Sequence, residues 1–421
     1  MTVRAVQGGA GCGKTHRLMA MLAETLEAKP LVDGQRVLAL TFMHGARRRL
    51  SDRLRSVPGL DGRRECTTID GFAWRISRRW RGLANSLGLP PVTEEQFNAV
   101  CDTAGALLEQ PVVAKWVASS FPIILVDEGQ DLGPERLRML VAISQSVELL
   151  AAADEFQCLD QTLRPNPFVA WLGNVCEPEG LVHVHRTNRP GLLTAATAIR
   201  AGNAPANGQG FKILTGAGDP LAATMLANAI AWRQGDDVAV ITPAVQGGYA
   251  QRAVIRVGQG AIGQHGNGPF SIRWEGTDHE MAGSIVAALN LPDVADAVTT
   301  LQALGELPPS GPARAAVHWV RKQVDACGRV AFSRADVERV ISRSVTFQRQ
   351  HGHSQSHDFV AMTVQQAKNR EFDGVVVFWP YQVGGDAEQK RRLLYNAVTR
   401  AKRWCNVIVQ SPNILNGPPF T

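Results

Sequence analysis

The sequence predicts an α/β fold with two domains, each a parallel sheet flanked by helices, with small accessory insertions. Three observations support this prediction. A glycine-rich segment joins an apolar run to a helix-like pattern near the start of the chain. Continuous apolar runs, typical of parallel strands buried on both faces, then alternate with helical stretches. The chain has 421 residues, and these runs outnumber the strands of one compact sheet, so we expect two sheets.

The predicted strands are apolar runs bounded by polar or glycine-rich segments. They lie at residues 3–6, 36–42, 122–127, 147–154, 181–185, 237–242, 372–379 and 404–409. Residues 1–180 are predicted to form the first domain, with a small insertion at about 76–118. Residues 181–421 are predicted to form the second, with an insertion at about 255–355.

Residues 8–15, GGAGCGKT, fit the phosphate-loop pattern G-x-x-x-x-G-K-[ST] in a strand–loop–helix context. Glycines let backbone N–H groups turn towards phosphate, and the helix N-terminus adds a favourable dipole. We expect Lys14 to reach the terminal phosphates and the Thr15 hydroxyl to ligate Mg²⁺. The loop therefore predicts a nucleoside triphosphate site. Its predicted contacts are Gly8, Gly9, Ala10, Gly11, Cys12, Gly13, Lys14, Thr15 and His16.

The positive charge is concentrated in one stretch. The net charge is only +6, but twelve arginines face four acidic residues between positions 36 and 81. This surplus predicts a polyanionic partner; a solvated helix face is the alternative. Phe42, Phe72 and Trp74 lie beside these arginines and could stack on unpaired bases. For Phe42 and Phe72, a place in the core is the alternative.

A predicted strand within residues 121–132, FPIILVDEGQDL, ends on Asp127 and Glu128. In a phosphate-loop ATPase, an acid at this place holds Mg²⁺, and a following glutamate orients and deprotonates the attacking water. A neighbouring strand is predicted to end at Asp154, which places Gln157 where it can sense the γ-phosphate. The first domain therefore carries the predicted metal and water chemistry.

Residues 391–404, RRLLYNAVTRAKRW, predict a helix with Leu394, Val398 and Ala401 facing inward and Arg400 at its polar edge. A bound triphosphate needs positive charge at the transition state. An arginine from a second domain can supply this charge when a cleft closes, and it accelerates hydrolysis by about 10³–10⁵. The second domain is therefore expected to complete the site.

The ordered set of motifs resembles superfamily 1 helicases, most closely the UvrD/Rep/PcrA branch. The segments are GGAGCGKT, LTFMHGA, TIDGFA, VDEGQD, ADEFQ, VHRTN, TVQQAKNREFD and LLYNAVTRAK, and they extend from residue 8 to residue 402. The resemblance implies two RecA-like domains, with ATP in the cleft between them and single-stranded DNA across their top.

The resemblance also assigns roles by motif. Lys14 and Thr15 would bind phosphate and Mg²⁺, Asp127 would hold Mg²⁺, and Glu128 would be the catalytic base. The remaining nucleotide contacts would be the sensor Gln157, Glu371, and the second-domain arginines Arg400 and Arg186, with Arg189 as the alternative to Arg186. Thr41, Phe42, Thr68, Phe72, Thr363 and Gln365 fall in motifs that touch DNA. We add His44, which lies within LTFMHGA, and Trp74, which directly follows TIDGFA.

The chain departs from the family pattern in several places. Asp70-Gly71 replaces the usual His-Ser, Gln365 replaces the usual His, and Asn369-Arg370 stands where Gly-Leu is expected. Because the phosphate loop begins at residue 8, we expect the upstream glutamine motif that reads adenine in this family to be missing. Both predicted insertions are short for the accessory subdomains of the family. We therefore expect a compact helicase that acts with a protein partner, such as a nuclease or a repair or Gabija-type antiphage-defence complex.

Four functional interpretations remain open from the sequence. The leading one is an ATP-driven translocase or helicase that moves 3′→5′ on single-stranded or tailed duplex DNA. The second is a DNA-stimulated ATPase subunit that translocates with little unwinding. A non-catalytic DNA-binding subunit is the third, and the intact Lys14, Asp127, Glu128 and Arg400 argue against it. The fourth is an RNA-directed enzyme.

The remaining composition indicates a cytoplasmic protein whose cysteines are reduced thiols. The seven cysteines are an odd number without a C-x-x-C pair. No apolar run is long enough to span a membrane, and we expect no signal peptide, because the first predicted strand begins at residue 3. His351, His353 and His357 are interpreted as part of a polar linker rather than as a metal site.

Overall fold

The computed structural model of the chain describes residues 2–42, 44–94, 96–233, 236–245, 247–275, 278–351 and 359–421. It divides the chain into two compact units. The first consists of Met1–Ile272 and Thr363–Thr421, and the second of Arg273–Met362. We call residues 2–181 the first lobe of the first unit, and residues 190–272 with 363–421 its second lobe.

The first lobe alternates strands and helices. Its strands and helices are β1 (Val3–Gly8), α1 (Lys14–Ala28), β2 (Val37–Thr41), α2 (His44–Arg55), β3 (Arg64–Thr68), α3 (Ile69–Arg79), α4 (Arg81–Ser86), α5 (Phe97–Leu108), α6 (Pro111–Ser120), β4 (Ile123–Asp127), α7 (Pro134–Ser144), β5 (Glu148–Ala153), α8 (Pro167–Val175) and β6 (Glu179–Leu181). Short 3₁₀ helices lie at Gly129–Asp131, Glu155–Gln157 and Gln161–Leu163. All neighbouring strands are parallel, in the order β3-β2-β4-β5-β1-β6.

Strand β2 shows why its sequence is continuously apolar. Leu38 and Leu40 pack into a core on one face of the sheet, whereas Val37 and Ala39 pack into a second core on the other face. Leu18 and Leu22 of α1 belong to this second core and are fully buried. Side chains of a strand point alternately to the two faces, and helices cover both faces here.

The second lobe and the second unit follow in the chain. Their elements are α9 (Pro190–Ala201), β7 (Phe211–Thr215), α10 (Asp219–Ala231), β8 (Val238–Thr242), α11 (Tyr249–Gln259), β9 (Ile272–Trp274), α12 (Asp278–Ala287), β10 (Val294–Asp296), α13 (Ala297–Gly305), α14 (Gly311–Cys327), β11 (Ala331–Ser333), α15 (Arg334–His351), β12 (Phe359–Thr363), α16 (Val364–Ala367), β13 (Phe372–Trp379), α17 (Ala387–Val398), β14 (Ala401–Val409) and a 3₁₀ helix at Pro412–Asn416. In the second lobe, parallel strands run in the order β7-β14-β13-β8.

The second unit has a core of its own. Leu304, Val320, Phe332 and Ile341 are buried together there, and β10 pairs with β11 in antiparallel register. Among the helices of the described residues, none combines the length and apolar character that crossing a bilayer requires.

The structure confirms the predicted fold class, two parallel sheets flanked by helices, and corrects two predicted elements. The strand predicted at 181–185 is instead β6, which ends at Leu181, and the described residues 182–185 form no strand. The helix predicted over 391–404 ends at Val398, because β14 begins at Ala401. Ala401 pairs with Phe372 of β13, so sheet pairing overrides the helical pattern there.

Candidate nucleotide and nucleic-acid site

The predicted nucleotide residues of the first lobe meet at one edge of its sheet. Since all six strands are parallel, their carboxyl ends lie on the same side. Strands β1, β4 and β5 end at Gly8, Asp127 and Ala153 respectively. The fold therefore gathers the phosphate loop, the acidic pair and the segment with Gln157 at a single edge.

The phosphate loop has the backbone that its glycines permit. Gly11 and Gly13 have φ angles of 78° and 80°, a region that glycine adopts without strain. A Cβ atom added at Gly11 would lie 2.7 Å from Cβ of Arg186, so the loop also needs glycine for close packing. Helix α1 begins at Lys14, directly after the loop, which leaves its first N–H groups directed towards an anion site.

Thr15 and Asp127 form the predicted metal pair. The Thr15 hydroxyl donates a hydrogen bond of 3.0 Å to Oδ2 of Asp127. Asp127 is 8% exposed. Burial and the neighbouring Glu128 raise the pKa of Asp127 to about 6. A cation beside this carboxylate would oppose that rise, and oxygen ligands of this kind suit Mg²⁺, which keeps several waters and uses few protein ligands. The donor set therefore fits Mg²⁺.

Glu128 has a left-handed backbone with φ 58°, which is rare for a residue other than glycine. Its carboxylate accepts a hydrogen bond of 2.6 Å from the side-chain amide of Gln130. The carbonyl oxygen of that amide accepts from the Asp154 N–H at 2.9 Å. Gln130 is fully buried and joins the ends of β4 and β5. Burial acts to raise the pKa of Glu128, but Lys14, Gln130 and further cations lower it overall.

Lys14 lies against its own loop. Its ammonium donates to the carbonyl oxygens of Gly8 and Gly9 at 2.9 and 3.1 Å. Oδ2 of Asp154 is 3.8 Å from the same nitrogen, and within the described residues this buried oxygen accepts no hydrogen bond. Gln157 is also buried, in the 3₁₀ helix that follows β5. His16 is exposed.

Arg186 connects the phosphate loop with the second lobe. The N–H of His185 donates to the carbonyl of Gly11 at 2.8 Å, so the backbone beside Arg186 is fixed to the loop. Its guanidinium pairs with Glu371 at 2.9 Å and donates to the carbonyl of Thr399 at 2.7 Å. We expected the second domain to supply this arginine. Arg186 lies in the segment 182–189 that joins the two lobes, and Glu371 and Thr399 of the second lobe orient its side chain.

Arg400 lies inside the protein rather than at a polar helix edge. It is 2% exposed, and its Nε donates to the carbonyl of Asn396 at 3.0 Å. Burial and the nearby charge of Arg186 lower the pKa of Arg400 to about 10, although Glu128 and Glu371 act to raise it. For Glu371, burial opposes the shift, and Arg186 is the largest contribution that lowers its pKa.

Two further residues of the second lobe reach the phosphate loop, and sequence reasoning assigned no role to either. The hydroxyl of Tyr395 accepts a hydrogen bond of 2.9 Å from the N–H of Ala10. Arg200, near the end of α9, donates to Oδ1 of Asp154 at 2.8 Å and to the Tyr395 hydroxyl at 3.2 Å. Tyr395 lies in the quoted motif LLYNAVTRAK, whereas Arg200 is indistinguishable from an ordinary cation in the last helical turn.

A cavity of about 350 Å³ lies beside the phosphate loop. Its walls include Gly9 and Cys12 of the loop, and Arg186, Arg200 and Tyr395 on the other side. Lys14, Thr15 and Asp127 are not among its walls, so the cavity adjoins the predicted phosphate cradle and does not contain it. Burial raises the pKa of the Cys12 thiol, despite the opposing charge of Lys14.

The first-lobe residues that are predicted to contact nucleic acid differ in how deeply they are buried. Thr41 and Thr68 are buried ends of β2 and β3, and the Thr68 hydroxyl caps α3. Phe72 is fully buried in the core. This corrects its assignment as a base-stacking residue, because its ring faces no solvent. Phe42 and Trp74 are partly buried against the same core.

Asp70, one of the departures from the family pattern, has a structural partner. Its carboxylate pairs with Arg136 at 2.8 Å and accepts from the Cys101 thiol at 3.2 Å. The guanidinium of Arg136 also lies 5.4 Å from the centre of the Phe42 ring. Asp70 therefore holds neighbouring elements of the first lobe together.

Thr363, Gln365 and Asn369 surround the short helix α16. Thr363 caps this helix in a reciprocal arrangement with Gln366, and Gln365 is exposed. Asn369 has φ 63°. Glycine is free of strain in that region and asparagine is among the best-tolerated alternatives, so the departure from the family's glycine keeps the backbone conformation.

Several predicted positions lie outside the described residues. They are the side chains of His44 and His351, and residues His353 and His357. Within the described part of the chain, no three His, Cys, Asp or Glu side chains converge into a group that could hold a metal ion.

Comparison with known proteins gives two family matches. Residues 358–408 match the UvrD-like helicase C-terminal domain, and residues 1–162 match the AAA domain family. No curated protein matches the chain. Among solved structures, the crystal structure of Arterivirus nonstructural protein 10, a helicase, is similar with a TM-score of 0.41 and 12% identity. That similarity covers 96% of this chain and 59% of the viral chain, so this chain spans about 59% of its length.

The two family matches confirm the resemblance that the motifs predicted. The AAA match contains the phosphate loop and the acidic pair, and the UvrD-like match contains Glu371 and Arg400. They also support the predicted enzyme class, ATP-dependent hydrolases of the UvrD-like helicase type.

Proposed function

We propose that the chain, which matches the UvrD-like helicase C-terminal domain and the AAA domain family, acts as a UvrD-like helicase of superfamily 1 and hydrolyses ATP to move along single-stranded DNA in the 3′→5′ direction. One observation carries this proposal: Arg400 of the second lobe interacts electrostatically with Glu128 of the first, and Arg186, whose neighbour His185 is hydrogen-bonded to the phosphate loop, pairs with Glu371 of the second lobe. The chemistry of hydrolysis and the contact between the lobes therefore depend on the same residues.

Glu128 is the proposed base for hydrolysis. A water bound beside its carboxylate would lose a proton to it as the oxygen attacks the γ-phosphorus, and the bond to the ADP oxygen would break. The hydrogen bond from Gln130 fixes the carboxylate, and nearby cations keep it ionised. Mg²⁺, when held by Thr15 and Asp127, would neutralise charge on the β- and γ-phosphates.

Arg186 and Arg400 are the proposed stabilisers of transition-state charge. The ion pair between Arg186 and Glu371 orients one guanidinium. The other is buried, where its charge interacts strongly with an incoming phosphate. Since Arg186 lies between the phosphate loop and Glu371, and Arg400 of the second lobe interacts with Glu128 of the first, a gain or loss of the γ-phosphate would change the contact between the lobes. This coupling is the proposed source of movement.

The carboxyl edge of the first sheet is the proposed track for the strand. Phe42 and Trp74 remain candidates for contact there, together with Thr363 and Gln365 of the second lobe. Direction of movement and the choice of DNA over RNA rest on the resemblance to the UvrD/Rep/PcrA branch.

A second candidate is a DNA-stimulated ATPase that separates strands poorly without a partner. The helices in the predicted first insertion favour it, because Val100, Leu107 and Val113 are buried in the core of the first lobe. This insertion therefore strengthens the lobe and does not form a separate compact unit. A protein partner, such as a nuclease in a repair or defence complex, would then supply the missing function.

The test is ATP turnover with and without single-stranded DNA. We expect DNA to stimulate the wild-type protein and Lys14→Ala to lose turnover. Arg186→Ala should lower kcat by at least about 10²-fold, because transition-state arginines contribute about 10³–10⁵. Arg189→Ala is the matched control and should retain most activity. Unchanged turnover in Lys14→Ala would overturn the assignment.

Strand displacement separates the two candidates. Duplexes with a 3′ or a 5′ single-stranded tail are compared with a translocation assay on the same strands. Displacement only from the 3′-tailed duplex supports the helicase, whereas translocation without displacement supports the second candidate. Displacement only from the 5′-tailed duplex would contradict the proposed direction.

A further inference from the structure

A second pocket, of about 320 Å³, lies at the opposite edge of the first sheet from the phosphate loop. Arg36 lies one residue before β2, Glu65 lies near the beginning of β3, and Ser120 and Phe121 precede β4. These positions mark the amino ends of parallel strands, whereas the phosphate loop follows a carboxyl end. The walls are Gly34, Arg36, Glu65, Arg75, Arg79, Trp116, Ser120 and Phe121.

The pocket walls carry a surplus of positive charge. Three arginines face one glutamate, and Nη1 of Arg75 pairs with Oε1 of Glu65. The other terminal nitrogen of Arg75, Nη2, is buried and makes no hydrogen bond within the described residues. Arg36 and Arg79 are exposed, and neither has an ion pair in the part of the chain that the structure describes. The pocket therefore offers donors that the protein itself leaves unused.

Aromatic rings hold two of these arginines in place. The guanidinium of Arg79 lies 4.7 Å from the centre of the Trp116 ring. The guanidinium of Arg75 lies 5.2 Å from the Phe72 ring and 5.7 Å from the Phe121 ring. A planar guanidinium near an aromatic ring has its orientation restricted while its N–H groups can still donate. The pocket is thus partly organised before a ligand binds, which lowers the ordering cost of binding.

We propose that this pocket binds a backbone phosphate of a nucleic-acid strand, as a second contact outside the carboxyl-edge track. Phosphate oxygens accept several hydrogen bonds at once and match the donor fork of arginine. The proposal rests on the proposed function only in naming the polymer. It adds a binding site on a face of the lobe that takes no part in hydrolysis.

The surroundings favour a polymer over a single phosphorylated side chain. The twelve arginines between positions 36 and 81 face only four acids, so the positive field extends well beyond the pocket. A phosphopeptide needs one local site, whereas a strand with regularly spaced charges benefits from the whole field. Trp116, half-buried at the wall, also provides an aromatic surface beside the backbone.

The two edges of the sheet are separated by a short distance. A five-residue strand such as β2 extends about 17 Å. At the duplex spacing of about 3.4 Å per nucleotide, roughly five further nucleotides would cover this distance, and an extended single strand would need fewer. A DNA strand without these further nucleotides should not reach the pocket while it occupies the carboxyl edge.

The test measures equilibrium binding of labelled single-stranded DNA to the full chain, without nucleotide, over a series of salt concentrations. The pocket variant is Arg36→Ala with Arg79→Ala. The control is Arg78→Ala with Arg81→Ala, which removes the same charge from exposed neighbours that do not line the pocket. Thermal melting confirms that both variants fold.

The expected readout is the slope of log K against log salt. Each lost phosphate contact lowers this slope by about 0.7 for single strands, so the pocket variant should lose about 0.7–1.4. The control should lose clearly less. Equal losses in the two variants would show diffuse attraction and would overturn the pocket, as would an unchanged slope. A strand too short to reach the second edge should bind both variants with the wild-type slope.

Two further arms identify the source of the phosphate and separate this proposal from the proposed function. Binding of a phosphoserine peptide that depends on Arg36 and Arg79, together with an unchanged DNA slope, would assign the pocket to a protein and overturn the proposal. If the salt slope falls more in the pocket variant than in the control, but DNA does not stimulate ATP turnover, only the proposed function is overturned. Stimulated turnover with equal slopes would defeat the pocket alone.

Discussion

Replacing Asp127 with asparagine is predicted to stabilise the protein near neutral pH while abolishing ATP hydrolysis. Asp127 is 8% exposed and accepts hydrogen bonds from the Thr15 hydroxyl and the Glu128 N–H, each at 3.0 Å. Asparagine preserves both contacts, because its oxygen can accept from Glu128 while its amide donates to Thr15. The substitution therefore removes a buried charge without leaving a polar group unpaired.

The magnitude follows from the pKa. Burial raises the pKa of Asp127 from 3.8 to about 6, and one pKa unit corresponds to about 1.4 kcal/mol. Keeping Asp127 ionised in the folded state therefore lowers the free energy of unfolding by up to about 3 kcal/mol. Because the pKa of Asp127 is higher in the folded state, its protonation stabilises the fold. This stabilisation is fully present below about pH 3.8 and is lost as the pH rises through about 6. An asparagine at this position does not ionise, so the variant keeps this stabilisation at neutral pH.

Urea denaturation near pH 7.5 and near pH 4.5 provides the assay. The variant should gain about 1–3 kcal/mol of unfolding free energy near pH 7.5 and less than half of that gain near pH 4.5. Asp61→Asn is the control, since Asp61 has a fully exposed side chain. A gain that is equal at both pH values, or no gain near pH 7.5, would refute burial as the cause.

Two further substitutions test packing and the contact between the lobes. In Gly129→Ala, the new Cβ would lie 2.1 Å from Cε1 of the buried Phe168 ring, so we expect a loss of about 1–3 kcal/mol in urea denaturation. Gly173→Ala, where a Cβ meets no atom within 4 Å, should not destabilise. Lys368 pairs with Asp131 at 2.7 Å, with both side chains at most 12% exposed, so Lys368→Met should cost about 3–5 kcal/mol. Adding Asp131→Asn should restore much of that loss; additive losses would contradict a coupled pair.

The central strands were predictable because their environment is uniform. In β2 and β4 every residue is buried, and burial on both faces requires a continuous apolar run. Edge strands lack this signal. Strand β3, with the sequence RECTT, is mostly half-buried at one edge of the sheet and was not predicted. Strand β6 has three residues at the other edge, and its pairing with β1 determines where it ends.

The first-lobe half of the site was predictable because its residues follow directly from strand ends. The phosphate loop, Asp127 and Glu128 each lie where a buried strand meets the carboxyl edge. The contacts of Gln130, Tyr395 and Arg200 could not be found in this way. Gln130 reaches Glu128 because that residue adopts a left-handed conformation, and Tyr395 meets Ala10 only when the two lobes pack together.

The arrangement of charge in the site explains how one phosphate could control the contact between the lobes. Arg186 and Arg400 lie near each other, and this proximity, with burial, lowers the pKa of Arg400. Glu128 and Glu371 offset only part of that repulsion. An anion that contacts both guanidiniums would relieve it, so the γ-phosphate should favour the closed contact, and its release should weaken that contact. The strength of the contact would then follow the chemical state of the nucleotide, as a motor driven by hydrolysis requires.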